Sequence, residues 1–256
     1  MNSEECILGI YNYCVANLSS HEIWPQFYKI RFEEFKRFQK LFPQQHFKNV
    51  LEIGCGIGYQ SAFLSCISDK VIASDIDTGN MIKHSRGLDL THNFLNKLPI
   101  RNIEIVHANA EDLPFENESF DFIYSSFSFQ YIPGKAKALA EIMRVLKKGG
   151  YFFCVLPTTA YGMVNAKKYY LAALNKLISQ SPKKTGANKS LIRQENIYVT
   201  KRRSKLLPPP DDDSNNFFME LLVYTPLRWR RLFKKNGHTI VLEKKDSTSI
   251  IFMTKK

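Results

Sequence analysis

The segment Val50-Leu-Glu-Ile-Gly-Cys-Gly-Ile-Gly58 constrains this chain most: a short apolar strand runs directly into three glycines spaced two apart. Glycine has no β-carbon and tolerates left-handed backbone, so such a strand can turn tightly and bring a ligand against bare main chain. A glycine turn alone is weak, because close packing without any ligand also requires glycine. What surrounds it has to decide.

The surroundings alternate strand and helix. Strand Val50–Ile53 is followed by the turn, a helix from about Tyr59 to Cys66, strand Val71–Ser74 leading to Asp75, and a longer helix beginning near Thr78. Strands Ile103–His107 and Phe120–Ser125 follow, then a helix over Ala136–Leu146 stopped by Lys147-Lys-Gly-Gly150, and strand Tyr151–Leu156. Basic residues at that helix end with glycine beyond suit helix termination. Pro226–Asn236 reads as a helix stopped at Gly237, with Thr239–Glu243 and Ser249–Met253 as a closing antiparallel pair. This rhythm predicts an α/β fold, a doubly wound, seven-stranded, mostly parallel sheet. Right-handed crossovers place the parallel strand C-termini on one edge, where open sheets of this kind bind ligands.

Two regions stand outside the alternation. Residues 1–47 read as an N-terminal helical cap, in which Phe27/Ile30, Phe32/Phe35/Phe38 and Leu41/Phe42 form an apolar stripe at helical spacing. Residues 157–216 read as an insertion after the fifth strand, closing on a Pro/Asp/Asn loop. The core is expected over residues 48–156, completed by residues 217–256. The insertion holds eleven Lys/Arg against four Asp/Glu, more than half of the chain's formal net charge of +12. Such charge draws anions, whether phosphorylated metabolites, acidic carriers, nucleic acid or an anionic membrane face, and its sign does not choose among them.

Asp75 narrows the use of the glycine turn. It lies nineteen residues after Gly56, immediately after the second apolar strand. A carboxylate at that place in a βαβ unit meets the ribose hydroxyls of a nucleoside lying across the strand ends. Asp77 and Thr78 better suit the capping of the next helix. A dinucleotide fingerprint would need glycine where Tyr59 stands, and a phosphate-binding P-loop would need Lys-Ser or Lys-Thr after the glycines, which this chain lacks.

With these residues in place, the chain resembles the class I S-adenosylmethionine-dependent methyltransferases, especially the branch acting on small molecules, lipids, quinones and acyl carriers. Val50–Gly58 is similar to the family's first motif and Val71-Ile-Ala-Ser-Asp-Ile-Asp77 to its second. His107-Ala-Asn-Ala-Glu-Asp-Leu-Pro-Phe115, Phe120-Asp-Phe-Ile-Tyr-Ser-Ser126 and Ala140–Gly150 resemble the later segments, in the same order. The resemblance implies a Rossmann-like methyltransferase fold with S-adenosylmethionine as cofactor. It assigns Glu52, Gly54, Gly56 and Gly58 to the methionine and ribose side, Asp75 to the ribose hydroxyls and Ile76 to the adenine face. It places Asn109, Ala110 and Glu111 around the adenine edge and Ser126 near the methionine portion. Asn109 stands where the family more often has Asp, and its amide oxygen still accepts a hydrogen bond.

Methyl transfer from a sulfonium is chiefly a matter of placing the acceptor in line, and it calls for no catalytic triad. Gln130, Tyr131, Tyr28, His21 and His107 are the candidate bases for a hydroxyl or amine acceptor, and none is assigned. The expected acceptor is a small organic or carrier-bound molecule, an anionic one included, with the basic insertion covering its site. Methylation of RNA or protein through that insertion, or a non-catalytic binding protein on the same fold, are the alternatives. Five cysteines without metal-ligand spacing favour free thiols in a reducing compartment, with Cys55 as small filler and no metal site. No apolar run approaches the roughly 20 residues needed to span a bilayer, and the Met-Asn-Ser-Glu-Glu start lacks the basic residues of a secretory signal, so the cytoplasm is the expected location.

Overall fold

The computed structural model describes residues 2–18, 25–41, 46–76, 87–158, 225–246 and 249–256. The expected helix cap at Asp77 and Thr78, the candidate base His21 and the basic insertion beyond Thr158 lie outside the described residues.

Helices α1 (Ser3–Asn17) and α2 (Pro25–Leu41) precede strand β1 (Phe47–Ile53). Helix α3 (Tyr59–Leu64), a 3-10 turn (Ser65–Ile67), β2 (Ser68–Asp75), α4 (Gly87–Leu95), β3 (Ile103–His107) and β4 (Phe120–Ser126) come next. A 3-10 turn (Phe129–Tyr131), α5 (Lys135–Val145), β5 (Leu146–Pro157), α6 (Pro226–Lys235), β6 (Thr239–Lys245) and β7 (Ser249–Lys255) complete the order. The seven described strands form one sheet in the order β3-β2-β1-β4-β5-β7-β6. β1 pairs in parallel with β2 and β4, β2 with β3 and β4 with β5, while β7 runs antiparallel to both β5 and β6. The strand order reverses direction at β1, so the β1 and β4 ends flank the crevice in which such sheets hold ligands.

Each strand serves two cores because side chains alternate across a sheet. Phe122 and Tyr124 of β4 join Tyr28, Phe35 and Phe38 of α2 and Phe63 of α3 on one face. Ile123 points the other way, to Leu139, Ile142 and Val145 of α5 and Trp229 and Phe233 of α6. The α2 stripe is therefore core at Tyr28, Phe32, Phe35 and Phe38, whereas Phe27 and Ile30 are exposed. Tyr59 explains why a dinucleotide turn does not fit: its buried ring packs on Tyr28 and Phe94, ring centroids 4.9 Å away in each case, filling space between α2 and α4.

Two expectations are corrected. The helix before Lys147-Lys-Gly-Gly150 stops as expected, at Val145, but the fifth strand begins at Leu146 and takes in this run, ahead of the expected start at Tyr151. The positive φ of Gly149, +79°, and a bond from its N–H to the Lys256 carbonyl at 3.2 Å bend the strand start without ending it. The cysteines are not all free thiols either. Packing of α1 against the turn after α3 brings Cys6 and Cys66 to a Cα separation of 5.7 Å, and they form a disulfide. Their separation of 60 residues hid the pairing from any spacing rule, and the compartment inferred from free thiols loses its support with it. Cys14, Cys55 and Cys154 are free and buried. No helix among the described residues is long and apolar enough to cross a membrane.

Candidate active site

The glycine turn follows β1, between the neighbouring strands β2 and β4. Gly54, Gly56 and Gly58 all have positive φ, at +73°, +56° and +92°, which an L side chain enters at a penalty. Each glycine answers to a different constraint. A β-carbon on Gly54 would sit 1.6 Å from Ser128 Oγ, and one on Gly58 would press on Leu95 and Thr91 at 3.1 Å. Gly56 faces nothing within 4 Å and is exposed. Two of the three therefore secure the turn to its surroundings, and the middle one presents bare backbone to open space. The turn is pinned to β2 by the Gly54 and Cys55 amides, which donate to the Ser74 carbonyl at 2.8 and 3.0 Å.

Asp75 is joined to the same turn. Its Oδ2 accepts from the Gly56 amide at 2.7 Å and its Oδ1 from the Ile76 amide at 2.7 Å. Thr91 Oγ1 donates to the Gly56 carbonyl from α4. Burial raises the Asp75 pKa above the ordinary 3.8, and the two amide donors partly offset that rise. Beside the carboxylate, the Ile76 side chain is 44% exposed. Open backbone, a carboxylate with remaining lone pairs and an uncovered aliphatic side chain are the three surfaces that a nucleoside needs from amide, sugar and base contacts. The residues present fit that group.

The segment after β3 closes on itself. Asn109 is exposed, and its Oδ1 accepts from the Glu111 amide at 2.9 Å, while Ala110 is buried. Glu111 is tied to the start of α5 through Oε1, which accepts from the Gly134 amide at 2.9 Å. Phe115 belongs to packing, with its ring 5.0 Å from Phe120, and Arg144 pairs with Glu141 at 2.7 Å.

Glu52 lies beneath the turn and is only 2% exposed. Ser61 Oγ donates to its Oε2. Burial, with smaller contributions from Asp75 and Glu34, pushes its pKa up to about 8, so at neutral pH this carboxyl is largely protonated. It adds little negative charge under the cleft.

A polar group that the stripe reading of α2 overlooked meets the same edge. Arg31 Nη1 donates to Glu34 at 2.6 Å and to Ser126 Oγ at 2.9 Å, and its guanidinium lies over the rings of Phe27 and Phe127 at 4.7 and 5.1 Å. Glu34 Oε1 accepts from the Tyr124 hydroxyl at 3.1 Å and from Ser126 Oγ. Gln60, at the start of α3, donates to the Arg31 carbonyl at 3.3 Å. The available signal was an Arg and a Glu three residues apart between core aromatics, a spacing that sets both on one helix face.

The candidate bases separate by burial. Tyr28 is fully buried beside Cys14 and its pKa is held well above the ordinary 10 by that burial, which suits a core residue. Gln130 is buried, with Oε1 meeting no donor among the described residues, whereas Tyr131 is 63% exposed at the strand-end edge. His107 is exposed and paired in register with Asp75. Cys55 is buried and its thiol pKa is raised well above the ordinary 9.0, which leaves it inert as a nucleophile. Among the described residues no cluster suited to a metal ion occurs.

Residues 51–154 match the family model described as a methyltransferase domain. A demethylmenaquinone methyltransferase of Listeria welshimeri is 30% identical over 135 residues, covering 50% of this chain and 52% of that protein. A sterol 4-C-methyltransferase of Caenorhabditis elegans is 30% identical over 162 residues, covering 59% of this chain and 47% of that protein. The chain thus spans about half the length of the curated relatives it matches. Among solved structures, an S-adenosylmethionine-dependent methyltransferase from Aquifex aeolicus superposes with a TM-score of 0.55 at 17% identity, covering 86% of this chain and 87% of that one. One from Mesorhizobium loti gives 0.53 at 14% identity, covering 87% and 97%. At these identities the superpositions establish the fold.

Proposed function

We propose that this chain, whose residues 51–154 match the methyltransferase-domain model, is a class I S-adenosylmethionine-dependent enzyme that transfers a methyl group to a small organic or carrier-bound acceptor. The observation that carries this reading is the junction of Asp75 with Gly56, where a carboxylate and bare backbone meet at an open strand end. The family and fold imply S-adenosylmethionine as cofactor, which when bound supplies a methyl group on a sulfonium sulfur.

The chain's own residues then have four tasks. Asp75 accepts from the ribose hydroxyls while its bonds to Gly56 and Ile76 hold it in position. Ile76 covers one face of the base, and Asn109, Ala110 and Glu111 border its edge. Glu52, protonated beneath the turn, keeps a fixed anion away from the sulfonium. A strong anionic wall there would favour the charged ground state over a transition state in which that charge is fading. Ser126 and the residues bonded to it border the methionine portion.

The acceptor class is supported by the two relatives, one a demethylmenaquinone methyltransferase and one a sterol 4-C-methyltransferase. It is also supported by the positive charge of residues 157–216, which suits an anionic acceptor or carrier. The test is transfer of labelled methyl from S-adenosylmethionine into fractionated extract, with metabolites, lipids, acyl carriers and RNA separated. Label in a small-molecule, lipid or carrier fraction is expected. Label confined to RNA or protein, or no transfer at all, contradicts the proposal.

A further inference from the structure

We propose that the outward side of α6 and β6 is a docking surface for an anionic lipid bilayer, held peripherally by arginine and lysine with two aliphatic side chains among them.

The charge of the chain is segregated. Residues 157–245 hold eighteen Lys/Arg against six Asp/Glu, which is the whole formal net charge of +12, while the rest of the chain balances at eighteen of each. Residues 226–245, the described end of that stretch, hold seven Lys/Arg and a single acid, Glu243, whose Oε1 accepts from Arg230 at 2.7 Å. Arg228, Arg231, Lys234, Lys235, Lys244 and Lys245 have no acidic partner among the described residues. On α6 the inward side is scaffold, with Trp229 and Phe233 buried. Leu227, Arg230, Arg231 and Lys234 are exposed, and their spacing sets them on one outward face. β5 and β7 stand between β6 and the crevice at β1 and β4, so this surface is separate from the cofactor cleft.

The arrangement works against the helix that carries it. Arg228 lies in the first turn, where the helix dipole disfavours a cation, and Arg230/Lys234 and Arg231/Lys235 are like-charged pairs four residues apart. Lysine in a last turn suits the dipole and lysine on an edge strand blunts unwanted pairing, which accounts for Lys234, Lys235, Lys244 and Lys245. Arg228 and Arg231 are left without a structural reason, and an anionic partner supplies one.

A bilayer fits this surface better than other anions. Its exposed apolar side chains are aliphatic: Leu227, 52% exposed, on α6, and Val241, 45% exposed, at the register shift in β6. Aliphatic side chains among Lys and Arg suit the boundary between headgroups and acyl chains. A nucleic-acid strand is gripped through exposed rings, and both aromatic rings of α6 are buried. A second copy adding a strand would meet the bulge and the lysines of the β6 edge and bring the same positive charge.

The test is co-sedimentation of the full chain with vesicles of phosphatidylcholine alone and of phosphatidylcholine mixed with phosphatidylglycerol. The wild-type chain should bind only the mixed vesicles and leave them as salt rises. Arg228→Gln, Arg231→Gln, Lys234→Gln and Lys235→Gln together should weaken that binding by at least about tenfold. The control, Lys40→Gln, Lys48→Gln, Lys137→Gln and Lys148→Gln together, removes four exposed lysines from the balanced part of the chain and should leave binding within about threefold. Leu227→Ser alone should weaken binding by about threefold. The α6 variant should melt no lower than the wild type, because it relieves repulsion; a clear fall would show that these cations serve the fold and overturns the proposal. Binding to both vesicle types alike, or to neither, also overturns it. So do equal losses in the two quadruple variants, which would leave only net charge, and full binding by the α6 variant, which would move the contact elsewhere. Polyuridylate held more tightly than the mixed vesicles at the same salt, and released by the α6 changes, assigns the surface to nucleic acid instead.

Discussion

The two faces of the sheet are filled by different means. On the face covered by α2 and α3, the aromatic core of Tyr28, Phe35, Phe38, Phe63 and Tyr124 is interrupted by ionisable groups, with Glu52, Glu34 and Arg31 set among or beside its rings. On the face covered by α5 and α6, Leu139, Ile142, Phe152, Trp229, Phe233 and Phe252 pack around a single buried histidine, His238. That histidine is satisfied on both ring nitrogens, at 2.9 Å from Thr254 Oγ1 and 3.1 Å from the Leu139 carbonyl. Charge is tolerated on the face that meets the cleft, where a ligand can compensate it, and the opposite face is scaffold.

That contrast breaks first at Gly54. Gly54→Ala forces a β-carbon onto Ser128 Oγ in left-handed backbone, and strain plus overpacking should cost on the order of 4 kcal/mol in a denaturant titration and abolish nucleoside binding. Wild-type stability and binding would show that the turn is not locked to Ser128 in the segment after β4.

The second and third effects are opposite ramps in stability against pH. Glu52 holds a proton in the folded chain up to about pH 8, but releases it near 4.5 when unfolded. Ionisation of the unfolded chain alone therefore lowers stability as pH rises through that window, by roughly 5 kcal/mol. Glu52→Gln should flatten this alkaline ramp and raise the melting temperature at pH 8. An unchanged curve would mean that the carboxyl is ionised in the fold.

His238 works the other way. Burial lowers its pKa from 6.5 to about 4, so the unfolded chain takes up a proton that the fold resists. Stability should fall by roughly 2 to 3 kcal/mol as pH drops between those values. His238→Gln should remove that acid ramp and leave the alkaline one, and loss of both in one variant would merge two faces held here to be independent. The smallest effect is at Gly149, whose φ of +79° faces nothing within 4 Å. Gly149→Ala should cost about 1 kcal/mol of backbone strain and leave binding intact. A penalty as large as that of Gly54→Ala would erase the distinction between a locked glycine and a free one.

Much of this was legible in the sequence because it is local. Strand alternation sets the two cores, the glycine spacing sets the turn, and Asp75 follows the second strand in register with it. Tyr59, which stands where a dinucleotide fingerprint needs glycine, packs its ring between α2 and α4, a contact that its position in the sequence does not reveal. What escaped is what depends on long-range packing. Cys6 meets Cys66 only because α1 lies on the turn after α3. Arg31 and Glu34 meet Ser126, 95 and 92 residues further along the chain, only because α2 crosses the end of β4. The Lys147–Gly150 run carries a second role that its local signal hides: the helix stops before it, at Val145, and bonds between Gly149, Gly150 and Lys256 at the end of the chain accompany its place in β5.

The most direct measurement of the central claim is calorimetric titration of the wild-type chain and Asp75→Ala with S-adenosylmethionine. Saturable binding to the wild type, weakened in the variant by at least about 1.5 kcal/mol, the scale of charge-assisted hydrogen bonds, is the predicted result. Equal affinity in the two proteins would place the nucleoside elsewhere and contradict the junction of Asp75 with the glycine turn as its seat.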